Sequence, residues 1–324
     1  MASSVEKQLN LYLQDLHAIE LQALEQVKRA PKIAGDPEIA AAFSDHVRET
    51  ERHRLYVEDR LMARSWAPVP QKDITAKVTG VGMALFARFQ PDTPGKLVAH
   101  SYSYERMELA AYDLLAKVAE RARDSETALT ARMIAKDERA MAERLARSFD
   151  RAVDASLREL ERHDIGKHLS KYLADAHAIE QQATKLLEKA PKLAGADELA
   201  HAFEEHLDET RHHSDLVQAR LDARGASRSA LKDAALRLGA LNLGMFMKGQ
   251  VDTPAKLAAF AYAFEHLEIA AYELLKRVAA RIEDTQTIAA ADDILVQERA
   301  AAARIHDLFD HALEASLDEA RATV

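Results

Sequence analysis

The sequence predicts an all-α protein built as two tandem four-helix bundles, and three observations predict it. The chain aligns with itself, without a gap, at an offset of 160 residues. Ala, Leu, Glu, Lys and Arg dominate, and no useful length alternates with period two. Within each copy, proline, glycine and capping residues cut the chain into four long helical segments and one short one.

The repeat is explicit. DLHAIE at 15–20 returns as DAHAIE at 175–180, KRAPKIAG at 28–35 as EKAPKLAG at 188–195, and HVRETERH at 46–53 as HLDETRHH at 206–213. PDTPGKL at 91–97 returns as VDTPAKL at 251–257, YERMELAAY at 104–112 as FEHLEIAAY at 264–272, and KDERAMAER at 136–144 as VQERAAAAR at 296–304. Positions 5–64 keep 29 of 60 residues and 93–160 keep 32 of 68, but 65–92 keep only 5 of 28. The outer stretches therefore hold what both copies still need, and the middle drifts as a connection can. A 160-residue period is too long for a solenoid. The expected domains are residues 1–160 and 161–324, each long enough to bury its own core.

The first helix runs from about Val5 to Ala30 and stops near Pro31 and Gly35. The second opens at Asp36-Pro37-Glu38, a capping residue followed by proline at the first helical position, and ends near Trp66. A short amphipathic helix follows at about 73–88, inside the drifting stretch. The third opens at Thr93-Pro94. Asp124-Ser125 caps the fourth, which is expected to continue to about Leu160. Four long helices with one extended connection between the second and third describe a ferritin-like bundle. Residues 160–168 read as the junction; it is short and charged, which favours two bundles packed on each other as an intramolecular pseudo-dimer, with further homo-oligomers open.

Composition narrows the function classes. The chain has no cysteine, which removes disulfides, thiolate metal sites and cysteine nucleophiles. Its net charge of −9 argues against nucleic acid as a partner. No apolar run approaches the ~20 residues of a membrane helix, and MASSVEKQLN lacks a signal-peptide core, so no membrane partner and a cytoplasmic location are expected. No nucleophilic triad, phosphate loop or dinucleotide fingerprint is present.

The chemistry lies where acids enter apolar stripes. At ~100° per residue, Glu20 falls in the middle of the stripe Leu9, Leu13, Leu16, Ala23, Val27. Glu108 falls amid Leu97, Tyr104, Ala111 and Leu115, and Glu138 amid Ala131, Ile134, Leu145 and Phe149. The stripe of the second helix admits Thr50, with His46 and His53 on one flank and Glu49 further round. Copy two repeats this with Glu180, Glu268, Glu298, Thr210, His206, His213 and Glu209. Glu105 and Tyr112 lie beside Glu108, as Glu265 and Tyr272 lie beside Glu268; His17 and His177 precede the first-helix glutamates by three residues. On a rise of ~1.5 Å per residue all these positions reach one mid-bundle level.

A lone glutamate in an apolar stripe is usually a snorkelling residue. Three helices bringing one to the same level, in both copies, favour a multivalent cation, because unpaired buried charges cost several kcal/mol each. Oxygen and imidazole donors suit Fe, Mn or Zn, with up to two ions per bundle. Of the histidines, His53 is read as a ligand ahead of His46, and His17 as a residue that supports a ligand or as a structural one. Glu209-x-x-His212 has a familiar metal-site spacing, but the wheel turns His212 away from the stripe, so His213 is preferred.

These residues resemble the YciE/YciF family of bacterial stress-associated, ferritin-like proteins. DLHAIE, HVRET and HLDET, and above all FEHLEIAAY followed by an acidic fourth helix, carry the resemblance over nearly the whole chain. It implies a metal-binding ferritin-like bundle, in single-domain proteins that pair as dimers; this chain resembles such a dimer fused covalently. Where that family commonly has Gln this chain has His53 and His213, and where it has a second fourth-helix acid this chain has Ala142 and Ala302. Rubrerythrin and manganese catalase carry Glu-x-x-His on that helix; here the third position after the glutamate is Met141 or Ala301.

Two functions compete at this level. In a metal-binding redox or storage protein, Glu20, Glu49, His53, Glu108 and Glu138 are ligands, Glu105 is an additional or bridging ligand, and Tyr112 is a hydrogen-bond partner. Glu180, Glu209, His213, Glu265, Glu268 and Glu298 take those places in copy two. If catalytic, the protein is a di-metal oxidoreductase acting on oxygen or peroxide, of peroxidase or ferroxidase type. In a non-catalytic stress scaffold or binding module, the same acids form a protonated or His-paired network that specifies the fold. The helices expected at 73–88 and 233–249, the second markedly apolar with two methionines, then either supply a contact surface or, the preferred reading for the second, cover the bundle or the seam between copies.

Overall fold

The computed structural model describes residues 4–70, 93–225 and 253–322. Their regular structure is all helix, with no strand among them, and the chain divides into two compact units: Met1–Ser156 with Ala320–Val324, and Leu157–Glu319. The helices expected at 73–88 and 233–249 lie outside the described residues.

The first unit holds α1 (Ser4–Val27), α2 (Pro37–Ala63), α3 (Thr93–Arg121), α4 (Ser125–Arg147) and α5 (Phe149–Leu157). The second holds α6 (Arg162–Leu187), α7 (Asp197–Ala223), α8 (Thr253–Ala280), α9 (Thr285–Asp307) and α10 (Phe309–Ala322). The segment read as a junction is thus mostly helix, since α6 begins at Arg162. In each unit the first two long helices pair, the third and fourth pair, and the first packs on the third and the second on the fourth. This is a four-helix bundle with one long connection between its second and third members.

Local chemistry sets the ends. The Asp36 carboxylate accepts from the N–H groups of Glu38 and Ile39 at 2.9 and 3.1 Å, and Pro37 opens α2. Asp124 caps α4 by accepting from Thr127 N–H at 2.9 Å. Just before it, Asp124 N–H reaches Ala119 O and left-handed Arg123 reaches Glu120 O, the paired bonds that close a helix C-terminus. Gly35 has φ +68°, and a Cβ there would stand 2.7 Å from Pro94 Cγ; only glycine lets the α1–α2 turn sit on the start of α3.

The fourth helix does not run unbroken to Leu160. At Ser148 the N–H bonds back three residues to Leu145 O, and α5 restarts at Phe149. Leu308 does the same in the second unit, so the backbone shift does not depend on a serine side chain. The break seats Phe149 in the core, with its ring edge-on to Tyr102.

Leu9, Leu13, Leu16, Ile39, Phe43, Leu61, Leu109, Ile134 and Leu145 build the core of the first unit. One polar layer crosses the middle of it. No helix among the described residues is long and apolar enough to cross a membrane.

Candidate metal centre

The polar layer of the first unit collects Glu20 from α1, His46 and His53 from α2, Glu105 and Glu108 from α3, and Glu138 from α4. All are at most 1% exposed. His46 and His53 are seven residues apart, two turns of one helix, so both rings face the same side at different heights. Glu105 and Glu108 are neighbours on α3 by the same geometry.

Glu138 stands between the two histidines. Its Oε1 lies 2.7 Å from His53 Nδ1, and its Oε2 lies 3.7 Å from His46 Nε2. His46 Nε2 also lies 3.1 Å from Glu105 Oε2. Two donor groups result, Glu20–His53–Glu138 and His46–Glu105–Glu138, each with donor atoms within 4.8 Å of one another. They share Glu138.

The outward nitrogens of both rings are fixed. His46 Nδ1 pairs with Glu49 Oε2 at 3.0 Å, and that oxygen also accepts from Arg144 Nη2 at 2.7 Å. His53 Nε2 pairs with Asp137 Oδ2 at 3.2 Å. Since the partners are acceptors, both outward nitrogens carry the proton. The inward nitrogens, His46 Nε2 and His53 Nδ1, come close to carboxylates without hydrogen-bond alignment. Glu20 Oε2, Glu105 Oε2, Glu108 Oε1 and Glu138 Oε2 are likewise buried without a hydrogen-bond partner. Such orphans normally cost ~1–3 kcal/mol each. Glu20, Glu105 and Glu138 meet the two histidines in the donor groups, as donors to a cation do, while Glu108 joins neither group. The residues present therefore fit a metal site.

The second unit repeats the arrangement. His213 Nδ1 lies 2.8 Å from Glu298 Oε1, and His206 Nε2 lies 2.7 Å from Glu265 Oε2 and 3.6 Å from Glu298 Oε2. The groups are Glu180–His213–Glu298 and His206–Glu265–Glu268–Glu298, again with one shared glutamate. Glu209 and Arg304 stand behind His206 as Glu49 and Arg144 stand behind His46. Behind His213, however, stands Gln297, whose Oε1 is 3.0 Å from His213 Nε2.

The electrostatics follow from burial and like charge. Burial, and then the Glu138 charge, push the Glu20 carboxyl up to about 8 against the pull of His53 and the Tyr112 hydroxyl, which donates to Glu20 Oε1. Glu180 reaches about 8 in the same way, beside Tyr272. Burial lifts Glu105 to about 7, and burial with three neighbouring carboxylates lifts Glu108 and Glu268 well above the usual range. Burial also opposes charge on Glu138, but His53 and His46 outweigh it and hold that carboxyl below its ordinary value. In the second unit burial prevails and Glu298 is pushed up to about 7. Burial pulls the imidazoles down, yet the carboxylates win: His53 rises to about 9, and His46, His206 and His213 also rise.

Most residues singled out from the sequence meet in these layers: Glu20, His53, Glu105, Glu108 and Glu138, and Glu180, His213, Glu265, Glu268 and Glu298. Glu49 and Glu209 do not join the groups; they are half-buried and hold the outward nitrogens of His46 and His206 instead. His46 and His206 take the inward places. His17 is buried outside both groups, and His212 is exposed while His213 is buried. Sequence reasoning passed over Arg144, Arg304, Asp137 and Gln297. The seven-residue spacing of His46 and His53, kept in both copies, was the available signal for His46.

A family model described as Domain of unknown function (DUF892) matches residues 4–158 and again residues 164–318. No solved structure matches the chain.

Proposed function

The chain belongs to the DUF892 family in two tandem copies, and from that premise we propose that each unit is a ferritin-like metal-binding bundle holding up to two Fe or Mn ions. The convergence of buried donor atoms without hydrogen-bond partners, from four helices and in both units, carries this reading. Glu20 and His53 would hold one ion and His46 and Glu105 the other, Glu138 belongs to both donor groups, and Glu108 would be a further carboxylate in the same layer. Thiolates contribute nothing, because there are none.

Iron or manganese held by carboxylates and imidazoles supplies electron exchange with oxygen or peroxide. Redox protection or iron handling under stress, of peroxidase or ferroxidase type, is the function we assign. The chain's own residues hold the donors in place: Tyr112 orients Glu20, and the Glu49–Arg144 pair orients His46. The apolar core above and below keeps bulk water away. With no cysteine, electrons come from a separate donor.

One observation favours a second reading, a non-catalytic module. Burial, with the neighbouring Glu138 charge, pushes the Glu20 carboxyl up to about 8 in the metal-free chain, so a proton network can occupy the same place. Elemental analysis decides. After anaerobic reconstitution with Fe(II) or Mn(II), we expect up to two ions per unit; fewer than one ion per chain overturns the metal reading and leaves the proton network.

A further inference from the structure

The two layers form an internal comparison. The six donors recur, and so do Tyr112, Glu49 and Arg144 as Tyr272, Glu209 and Arg304. Behind the second histidine the units part: a carboxylate, Asp137, in one and an amide, Gln297, in the other. Both accept the outward N–H and so fix the same ring tautomer. Only Asp137 adds a negative charge. A carboxylate on that N–H makes the opposite nitrogen a stronger donor and adds attraction for the cation; an amide oxygen orients the ring and does neither.

We propose that Asp137 makes the first unit the tighter metal site and Gln297 leaves the second the weaker, so that the chain loads in two separated steps. Asp137 and Gln297 are thus positioning residues that set which bundle fills first. The proposal rests on the metal-binding reading above. The Asp137 side chain is 40% exposed, so solvent screens part of its charge, and we expect the low end of the usual range for such partners, about tenfold in affinity.

The test is an anaerobic titration of the full chain with cobalt(II), followed by calorimetry and by the visible bands of the bound ion. The native chain should show two classes of site about tenfold apart. Asp137→Asn should bring the tight class down to the weak one, and Gln297→Glu should raise the weak class toward the tight one. Glu138→Gln should delete the tight class alone, which assigns it to the first unit. Asp137→Asn and Gln297→Glu sit on part-exposed positions and keep size, so their helicity by circular dichroism should not move. A gain of affinity in Gln297→Glu is an outcome that mere damage to the fold cannot produce. A single class in the native chain, or a gap that Asp137→Asn leaves unchanged, overturns the proposal while the metal reading stands. No cobalt bound at either unit overturns both.

Discussion

Each unit gathers charge in two places, and they are built on opposite principles. At one end of the first bundle, Asp124 accepts from Arg64 Nη1 at 2.7 Å, from Arg60 Nη2 at 3.4 Å and from both the backbone and the hydroxyl of Thr127. Arg60 continues to Glu126, and Arg64 to Asn10 and Glu6. In this clamp every carboxylate meets a cation or a donor, and it ties α1, α2 and α4 together. The second unit keeps it as Asp284 with Arg220 and Arg224. In the mid-bundle layer, four carboxylates meet two histidines and still leave donor atoms facing one another unbonded. The clamp is charge used to hold a fold. The layer is charge that the fold has to tolerate, and such tolerance makes physical sense where a ligand repays it.

The sharpest way to break this contrast is to count ions. Glu138→Gln removes the carboxylate common to both donor groups of its unit, so metal bound to that unit should vanish while the other keeps its full complement. Asp124→Ala should leave the count unchanged. Elemental analysis of both variants after the same reconstitution tells them apart, and a native count in Glu138→Gln would show that the layer is not a shared site.

Acidity separates the two regions next. His53 is raised from its ordinary 6.5 to about 9, so its favourable contribution is complete below pH 6.5 and is lost as pH climbs through 9. Glu20 is raised from 4.5 to about 8, so folding is increasingly penalised as pH rises between those values. The two act in the same direction. Glu138, held low, matters only in acid, where its contribution falls away. The metal-free chain should therefore lose about 3 kcal/mol or less from His53 alone between pH 6.5 and 9, at ~1.4 kcal/mol per unit. Metal displaces these protons, so Mn(II) should stabilise more at pH 8.5 than at pH 6. Thermal melts with chelator and with Mn(II) at the two pH values measure this. Equal metal-induced shifts at both would contradict it.

The clamp itself is worth less. Asp124→Ala removes a helix cap and the partner of two arginines, and should cost about 2 kcal/mol in chemical denaturation. Asp284→Ala should cost a similar amount, because its bonds repeat.

Much of this contrast was legible before the structure. The offset repeat gave two units, and the caps at Asp36 and Asp124 gave helix starts that the backbone keeps. The wheels placed Glu20, Glu108 and Glu138 in the core because each sits at the centre of its stripe, where no neighbour is needed to decide which way it faces. His46 and Glu49 sit on flanks. For flanking residues the choice belongs to the helices packed alongside: Glu105 on α3 draws His46 inward, and Arg144 on α4 draws Glu49 outward. A single helix carries no trace of either. The break at Ser148 was hidden for a related reason, since the apolar spacing from Leu145 to Phe149 is as good for a continuous helix as for a restarted one.

The smallest expected effect sharpens the comparison between units rather than between regions. Tyr112 donates to Glu20, and Tyr104 donates to Ile19 O at 3.2 Å. Tyr272 repeats the first bond, whereas Phe264 stands in place of Tyr104. The second unit assembles its donor groups without that hydroxyl, so Tyr104→Phe should change stability by about 0.5–1 kcal/mol, the value of one ordinary hydrogen bond, and leave metal binding alone. Tyr112→Phe should cost about 1 kcal/mol in the metal-free chain and also weaken metal binding, because Glu20 then loses the contact that turns its second oxygen toward His53 and Glu138. Denaturation and cobalt titration of the two variants rank them. If Tyr104→Phe proved the more damaging to metal binding, Tyr104 would belong to the site, and the second unit could no longer serve as its replica.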